Sequence, residues 1–171
     1  MDSFGDYLQE IGRIPLLTDQ EEIYCSHQIQ AWLQYVGGPE AAPTQVQRRG
    51  KRAKERLMSG NLRLVVSVCK KNLGRGLELQ DMVQEGSLGL SRAAEKFDAT
   101  RGYKFSTYAY WWIRQGMTRA IDNSARTIRL PIHISEKLSK MRRITRELSH
   151  RFGRQPNRLE LASAMGIEPR E

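Results

Sequence analysis

The sequence predicts an all-α protein, and three observations carry that prediction. Apolar residues recur at helical spacing along most of the 171 residues, no run alternates apolar and polar positions as a half-buried strand does, and clusters of Gly and Pro divide the chain into helix-length pieces. With 39% hydrophobic and 27% charged residues, the chain has apolar surface for one core or two small ones and lies outside the range of disordered sequences.

Each element has its own signal. Thr18 and Glu21 have capping-box spacing and open a helix with the stripe Ile23, Ile29, Leu33 and Val36. Gly37, Gly38, Pro39, Ala41, Ala42 and Pro43 end it in a short linker. A long helix is expected from near Arg48 through Leu57, Asn61, Leu64, Val65 and Val68 to the turn Gly74-Arg75-Gly76. The next runs from about Leu79 to Phe97 and offers Met82, Val83, Leu88 and Leu90 for burial. Residues 98–105 read as a loop, after which Ser106 is suited to cap a helix reaching about Asn123. Beyond a break at 127–131, a helix from Ser135 carries the stripe Leu138, Met141, Thr145, Leu148 and Phe152. Pro156-Asn157 opens a last short helix that Gly166 stops. Such a helix and turn can begin a helix-turn-helix, but the chain reaches Glu171 before a recognition helix, which suggests a piece of a longer polypeptide.

Charge narrows the function. The net charge is +9, yet residues 1–46 hold one base, Arg13, against seven acids, a balance of −6 that leaves +15 on the remainder. An excess of that size is an electrostatic footprint for a polyanion, most commonly nucleic acid. No apolar run approaches a membrane span and the N-terminus is acidic, so a soluble intracellular protein with no membrane partner is expected. Cys25 and Cys69 stand far apart without metal-ligand spacing, which points to a reducing compartment and no metal site. No phosphate-cradling Gly loop, His-Glu-x-x-His or Gly-x-Ser-x-Gly elbow occurs, so neither an enzyme nor a cofactor is expected.

The informative segment begins at Phe97. Seven of the chain's thirteen aromatic residues (Phe97, Tyr103, Phe105, Tyr108, Tyr110, Trp111, Trp112) fall within sixteen positions, among Lys96, Arg101, Lys104, Arg114 and Arg119. On a helix, Tyr108, Trp111, Trp112, Gln115 and Arg119 share one broad face, and the small apolar set Ala109, Ile113, Gly116 and Ala120 makes the opposite one. Interleaved rings and cations suit single-stranded nucleic acid, where each base stacks for about 1–3 kcal/mol. The same rings could fill the core of a helix bundle, although adjacent tryptophans cannot both point inward behind so narrow a face. On the preceding helix Asp81, Gln84 and Glu85 make an acidic and amide face that suits a basic protein partner, or is an ordinary solvated face.

At these residues the chain resembles the sigma-70 family of bacterial RNA polymerase sigma factors, of primary type. The similar runs are Asn61-Leu62-Arg63-Leu64-Val65-Val66, residues 81–86, the block from Gly102-Tyr103-Lys104-Phe105-Ser106 to Arg114-Gln115, and Ala125-Arg126-Thr127-Ile128-Arg129-Leu130-Pro131. The resemblance covers almost the whole chain and is weakest at 34–50. It implies a promoter minus-ten-binding and polymerase-binding domain over 1–127, with 34–50 a variable linker, and a truncated helical middle domain over 128–171.

The resemblance also implies roles. Asp81, Gln84 and Glu85 would dock on the clamp coiled coil of the polymerase beta-prime subunit. Phe97, Arg101, Tyr103, Tyr108 and Trp111, with Lys104 beside them, match the pocket for a flipped adenine of the non-template strand. Trp111 and Trp112 would wedge the upstream edge of the melted DNA, and Gln115, Thr118 and Arg119 would face its duplex. Asn61, Leu64, Ser106 and Thr107 match the pocket for a flipped thymine. Arg126 and Arg129 would hold phosphates, and His133 and Glu136 would read the extended minus-ten duplex. The segment of Tyr7 and Leu8 matches a discriminator contact, although Leu8-Gln9 stands where many relatives carry Met-Arg. An anti-sigma factor or activator could share these surfaces, in a cytoplasmic, nucleoid-associated setting.

Two other readings share parts of the pattern. A general single-strand or RNA-binding module would show no sequence preference, and a helix-turn-helix repressor would need a full recognition helix and a dimer seam. Extruding a base costs a few kcal/mol, which two stacked bases at about 1–3 kcal/mol each can offset. Some ten further open steps at about 1.4 kcal/mol each exceed that gain, so the isolated chain is expected to bind weakly and the polymerase to supply the rest.

Overall fold

The computed structural model describes residues 3–126 and 130–167, and among them the protein is all-α. Helices α1 (Ser3–Arg13), α2 (Asp19–Leu33), α3 (Thr44–Ser59), α4 (Leu62–Lys70), α5 (Leu79–Lys96) and α6 (Phe105–Ser124) precede α7 (Ile132–Phe152) and α8 (Arg158–Met165), with a 3-10 turn at Ala99–Arg101 between α5 and α6. Contacts divide the chain into two compact units, 1–125 and 126–171.

In the first unit α5 and α6 form the centre. Met82, Val83 and Leu90 of α5 and Phe105, Ile113 and Met117 of α6 are buried with Val65 and Cys69 of α4, Leu57 of α3 and Ile29 of α2. The two central helices run antiparallel at backbone contact, because the facing positions have no side chains. A Cβ on Gly89 would collide with the Trp112 carbonyl, one on Gly116 would lie 2.8 Å from the Glu85 carbonyl oxygen, and one on Gly86 would lie 2.8 Å from Val65 Cγ1. The small face expected on α6 is indeed the packed one, with Ala109, Ile113 and Ala120 buried.

Several expectations are corrected. The long helix from Arg48 to Gly74 is two helices: α3 already starts at Thr44, and the chain breaks at Gly60-Asn61. Gly60 leaves room for Leu17, which any Cβ there would displace, and the Asn61 side-chain amide folds back to donate to the Leu57 carbonyl at 2.8 Å. Part of the presumed linker is ordered by Gln47, whose amide donates to the carbonyls of Glu40 and Ala42. Ile23 and Val36 of the α2 stripe are exposed, while Cys25 and Ser26 are buried in their place. Leu88 is exposed on α5 rather than buried. Helix α6 starts one residue before Ser106, and its N-cap residue, Lys104, makes no side-chain cap. The Thr18 capping box is present, with Thr18 and Glu21 each satisfying the other's backbone amide.

In the second unit α7 begins at Ile132 rather than Ser135, with Pro131 before it. Ile144 is its one buried residue among those described, whereas Met141 and Phe152 of the expected stripe are exposed. Asn157 caps α8 in a capping box with Glu160, and Arg154 grips the Glu160 carboxylate through two nitrogens at 2.6 and 3.0 Å. Gly166 ends α8 in the left-handed region, φ 71°, where a Cβ would be strained.

Two outcomes follow from this packing. Gly89→Ala should cost about 1–3 kcal/mol of overpacking, more than the ~1 kcal/mol that Ala gains in helix propensity, read as a lower urea midpoint; an unchanged midpoint would show that α5 and α6 do not touch at Gly89. The Arg154 hydrogen bonds, followed by that from the Asn157 amide, hold Glu160 down at about 2 from its ordinary 4.5. Its contribution to the α8 cap is therefore complete above about pH 4.5 and disappears as the pH falls toward 2. NMR titration of the Glu160 carboxyl should report that midpoint, and Arg154→Ala should raise it.

Candidate nucleic-acid interface

The aromatic segment is graded from core to solvent. Phe97 is only 3% exposed and meets Phe105 edge-on at 5.1 Å, with the Tyr108 ring 5.9 Å away. Half-buried Tyr108 contacts half-buried Trp112 at 6.2 Å, and the Lys96 ammonium sits 5.0 Å above the Trp112 ring. Trp111 is 63% exposed, edge-to-face with Tyr110 at 5.5 Å, and the Arg114 guanidinium lies 5.8 Å from its centroid. Each such exposed cation–ring pair contributes about 0.5–1 kcal/mol. The two tryptophans therefore split as their adjacency requires, one outward and one along the surface. Phe97 offers no free face and instead supports Tyr108 from beneath.

The loop before α6 is held by α2, a role that sequence reasoning missed. Glu22, Ser26 and Gln30 are four residues apart on one face of α2. Ser26 Oγ donates to the Phe97 carbonyl at 3.0 Å, and Gln30 Nε2 donates to the Glu95 and Phe97 carbonyls at 2.9 and 3.1 Å. The Glu22 carboxylate accepts from the Phe105 amide at 2.9 Å, so α6 receives its cap from a helix 83 residues away. Nothing local in the sequence marks this, apart from a carboxylate and two short polar residues at helical spacing.

That clamp positions Arg101, Tyr103 and Lys104. Asp98 accepts from the Thr100 hydroxyl and amide and lies 3.4 Å from Arg101 Nε; chiefly the Thr100 hydroxyl, then its amide, hold this carboxyl below its usual range. Arg101 and Tyr103 are exposed, and Lys104 Nζ is 3.4 Å from Asp19 Oδ1. A cavity of about 180 Å³ opens here, bounded by Asp19, Glu22, Ile23, Phe97, Tyr103 and Lys104.

Other candidate residues are distributed more widely. Gln115 and Arg119 are exposed and Thr118 half-buried on α6. Asn61 and Leu64, at the start of α4, are half-buried, as is Ser106, while Thr107 is exposed; α4 packs on α6. Tyr7 and Leu8 are half-buried on α1 and pack against the core. Arg126, His133 and Glu136 are exposed in the second unit, and Arg129 lies outside the described residues. On α5, Asp81, Gln84 and Glu85 are all exposed, and Leu88, 59% exposed, extends the same face by one turn.

As a class, this is an all-α module that sets a ring-and-cation strip on one helix and an acidic strip on the helix packed against it. Comparison with known proteins supplies the family. The profile of sigma-70 region 2 matches residues 57–127, and that of sigma-70 factor region 1.2 matches residues 2–35. The RNA polymerase sigma factor SigA4 of Synechococcus elongatus is 58% identical over 94% of the chain and 53% of its own length. The RNA polymerase sigma-B factor of a Nostoc species is 44% identical over 98% of the chain and 58% of its own length. The chain belongs to the sigma-70 family, and it spans about half the length of the curated relatives it matches. The α2 clamp thus joins the two matched regions.

Removing the carboxylate that caps α6 tests the clamp. Glu22→Ala should lower stability by about 0.5–2 kcal/mol and speed hydrogen exchange at the first turn of α6. Glu22→Gln, which keeps an acceptor oxygen, should recover part of the loss; equal exchange in all three proteins would remove the cap.

Proposed function

We propose that the chain serves transcription initiation as the promoter-recognising part of a sigma factor, acting in the cytoplasm with core RNA polymerase. The observation that carries the reading is Trp111, a large ring left open to solvent beside Arg114, on the helix where Tyr108 and Trp112 continue the strip. A non-template strand of minus-ten sequence would stack on Trp111 and Tyr108, with Arg101, Tyr103 and Lys104 around an extruded adenine. Asn61, Leu64, Ser106 and Thr107 would receive a second extruded base. Gln115, Thr118 and Arg119 would follow the upstream duplex, and Arg126, Arg129, His133 and Glu136 would continue along it. The domain over 1–127 would do this work, with 128–171 the start of a middle domain.

Asp81, Gln84 and Glu85 would meet the basic clamp coiled coil of the beta-prime subunit, and Leu88 adds an apolar centre to that surface. A protein interface gains from an apolar core within a charged rim, which a purely solvated acidic face lacks. An anti-sigma factor or activator would compete for the same face. The chain itself supplies binding energy and needs no catalytic group.

Oligonucleotides carrying TATAAT or a scrambled sequence, with and without core polymerase, test the reading. The TATAAT strand should bind more tightly than the scrambled one once polymerase is present; equal affinities would sink the proposal. Trp111→Ala should weaken the TATAAT complex by roughly the 1–3 kcal/mol of one lost stack and leave polymerase docking intact. Asp81→Lys should do the reverse, and unchanged docking by that variant would dismiss the α5 surface.

A further inference from the structure

We infer that the groove between α2 and α3 docks an acidic protein segment bearing an aromatic or aliphatic anchor. Helix α3 carries Arg48, Arg49, Lys51, Arg52, Lys54 and Arg56 against one acid, Glu55. Three of these bases are used within the fold. Lys51 sits 5.9 Å above the Trp32 ring, Lys54 is 2.6 Å from Glu95 Oε1, and Arg56 is 3.5 Å from Glu21 Oε1. Arg48, Arg49 and Arg52 are exposed, and among the described residues no carboxylate pairs with them.

These three arginines are gathered at a concave surface. Arg49 and Arg52 border both a cavity of about 360 Å³, which also touches Tyr24, Cys25 and Ala53, and an adjoining one of about 470 Å³ that Arg48 lines. From Arg48 to Arg52 the three arginines span about 6 Å along α3 at 1.5 Å per residue. Tyr24 is 60% exposed at its edge, although a ring of that size is ordinarily covered.

The chemistry selects the occupant. Three uncompensated guanidiniums set the sign and favour carboxylates held two-pronged. The apolar floor of Cys25 and Ala53 and the open Tyr24 ring ask for an apolar side chain between those carboxylates, and Tyr with Arg is the pairing that dominates protein interfaces. A duplex presents its phosphates on a convex surface with no apolar group to fill the floor. Tyr24 and Glu22 are separated by about 200° around α2, so the groove faces away from the loop that α2 clamps. Both surfaces can be occupied at once, and the inference stands independently of the promoter reading.

Fluorescence anisotropy on the full chain tests it, with a labelled twelve-residue peptide of Asp and Glu around a central Phe-Leu pair. The Arg49→Glu, Arg52→Glu double variant should weaken this peptide at least tenfold with an unchanged melting temperature. Tyr24→Ala should weaken it severalfold but leave an all-acidic peptide of equal charge unaffected. Three results would overturn the inference: peptide affinity indifferent to the double variant, no advantage of the Phe-Leu peptide over the all-acidic one, or a twelve-base-pair duplex or pyrophosphate competing as tightly as the peptide for the same arginines.

Discussion

The first unit depends on the approach of α5 and α6 at Gly89 and Gly116. Where a side chain would meet a carbonyl of the facing helix, the backbones themselves are in contact. The rotation of both helices is thereby fixed. With Ala109, Ile113 and Met117 turned inward, Trp111, Arg114 and Gln115 must be outward; with Met82, Val83 and Leu90 inward, so must Asp81, Gln84, Glu85 and Leu88. One contact thus creates two surfaces of opposite chemistry and keeps them apart.

A second constraint concerns backbone polarity. The last carbonyls of α5 and the first amide of α6 have no partner in their own helices, and the seven residues between Phe97 and Phe105 are too few to wrap around and satisfy them. Helix α2 supplies the missing donors and acceptor through Ser26, Gln30 and Glu22. The cost of leaving such groups buried and unpaired is about 1–3 kcal/mol each, so the loop bearing Arg101 and Tyr103 inherits its position from α2. This explains why the segment matched as region 1.2 and the segment matched as region 2 pack as one unit.

Periodicity and punctuation made most of the helices legible, and the local capping box at Thr18 was legible to the residue. What stayed hidden was set by partners distant in sequence. The break at Gly60-Asn61 depends on Leu17, the start of α6 depends on Glu22, and the burial of Ser26 depends on the Phe97 carbonyl. Leu88 was misread because its spacing fits the apolar stripe of α5 as well as it fits the face of Asp81 and Glu85. For the aromatic segment, composition gathered the rings and cations but could not rank them by exposure. Phe97 and Trp111 look alike as rings in a string of cations, and only packing puts one in the core and the other at the surface.

The acidic N-terminal stretch also has a different meaning in the fold than in the composition. Asp19 pairs with Lys104, Glu21 serves the α2 cap and Arg56, and Glu22 serves α6. Three of the seven acids are thus consumed inside the unit and hold the cationic loop and helices in place. The basic excess is shared among α3, the segment around α6 and residues 126–171, where eleven bases stand against five acids; within the first unit, the α3 arginines and the loop that leads into α6 lie on different sides of α2. Under the proposed function this separation has a physical use. Stacking on Trp111 and Tyr108 can offset the extrusion of one or two bases but not the opening of some ten steps, so the aromatic strip must work while other surfaces hold larger partners. A chain whose acidic, aromatic and arginine-lined faces are turned apart can meet that requirement without one partner blocking another.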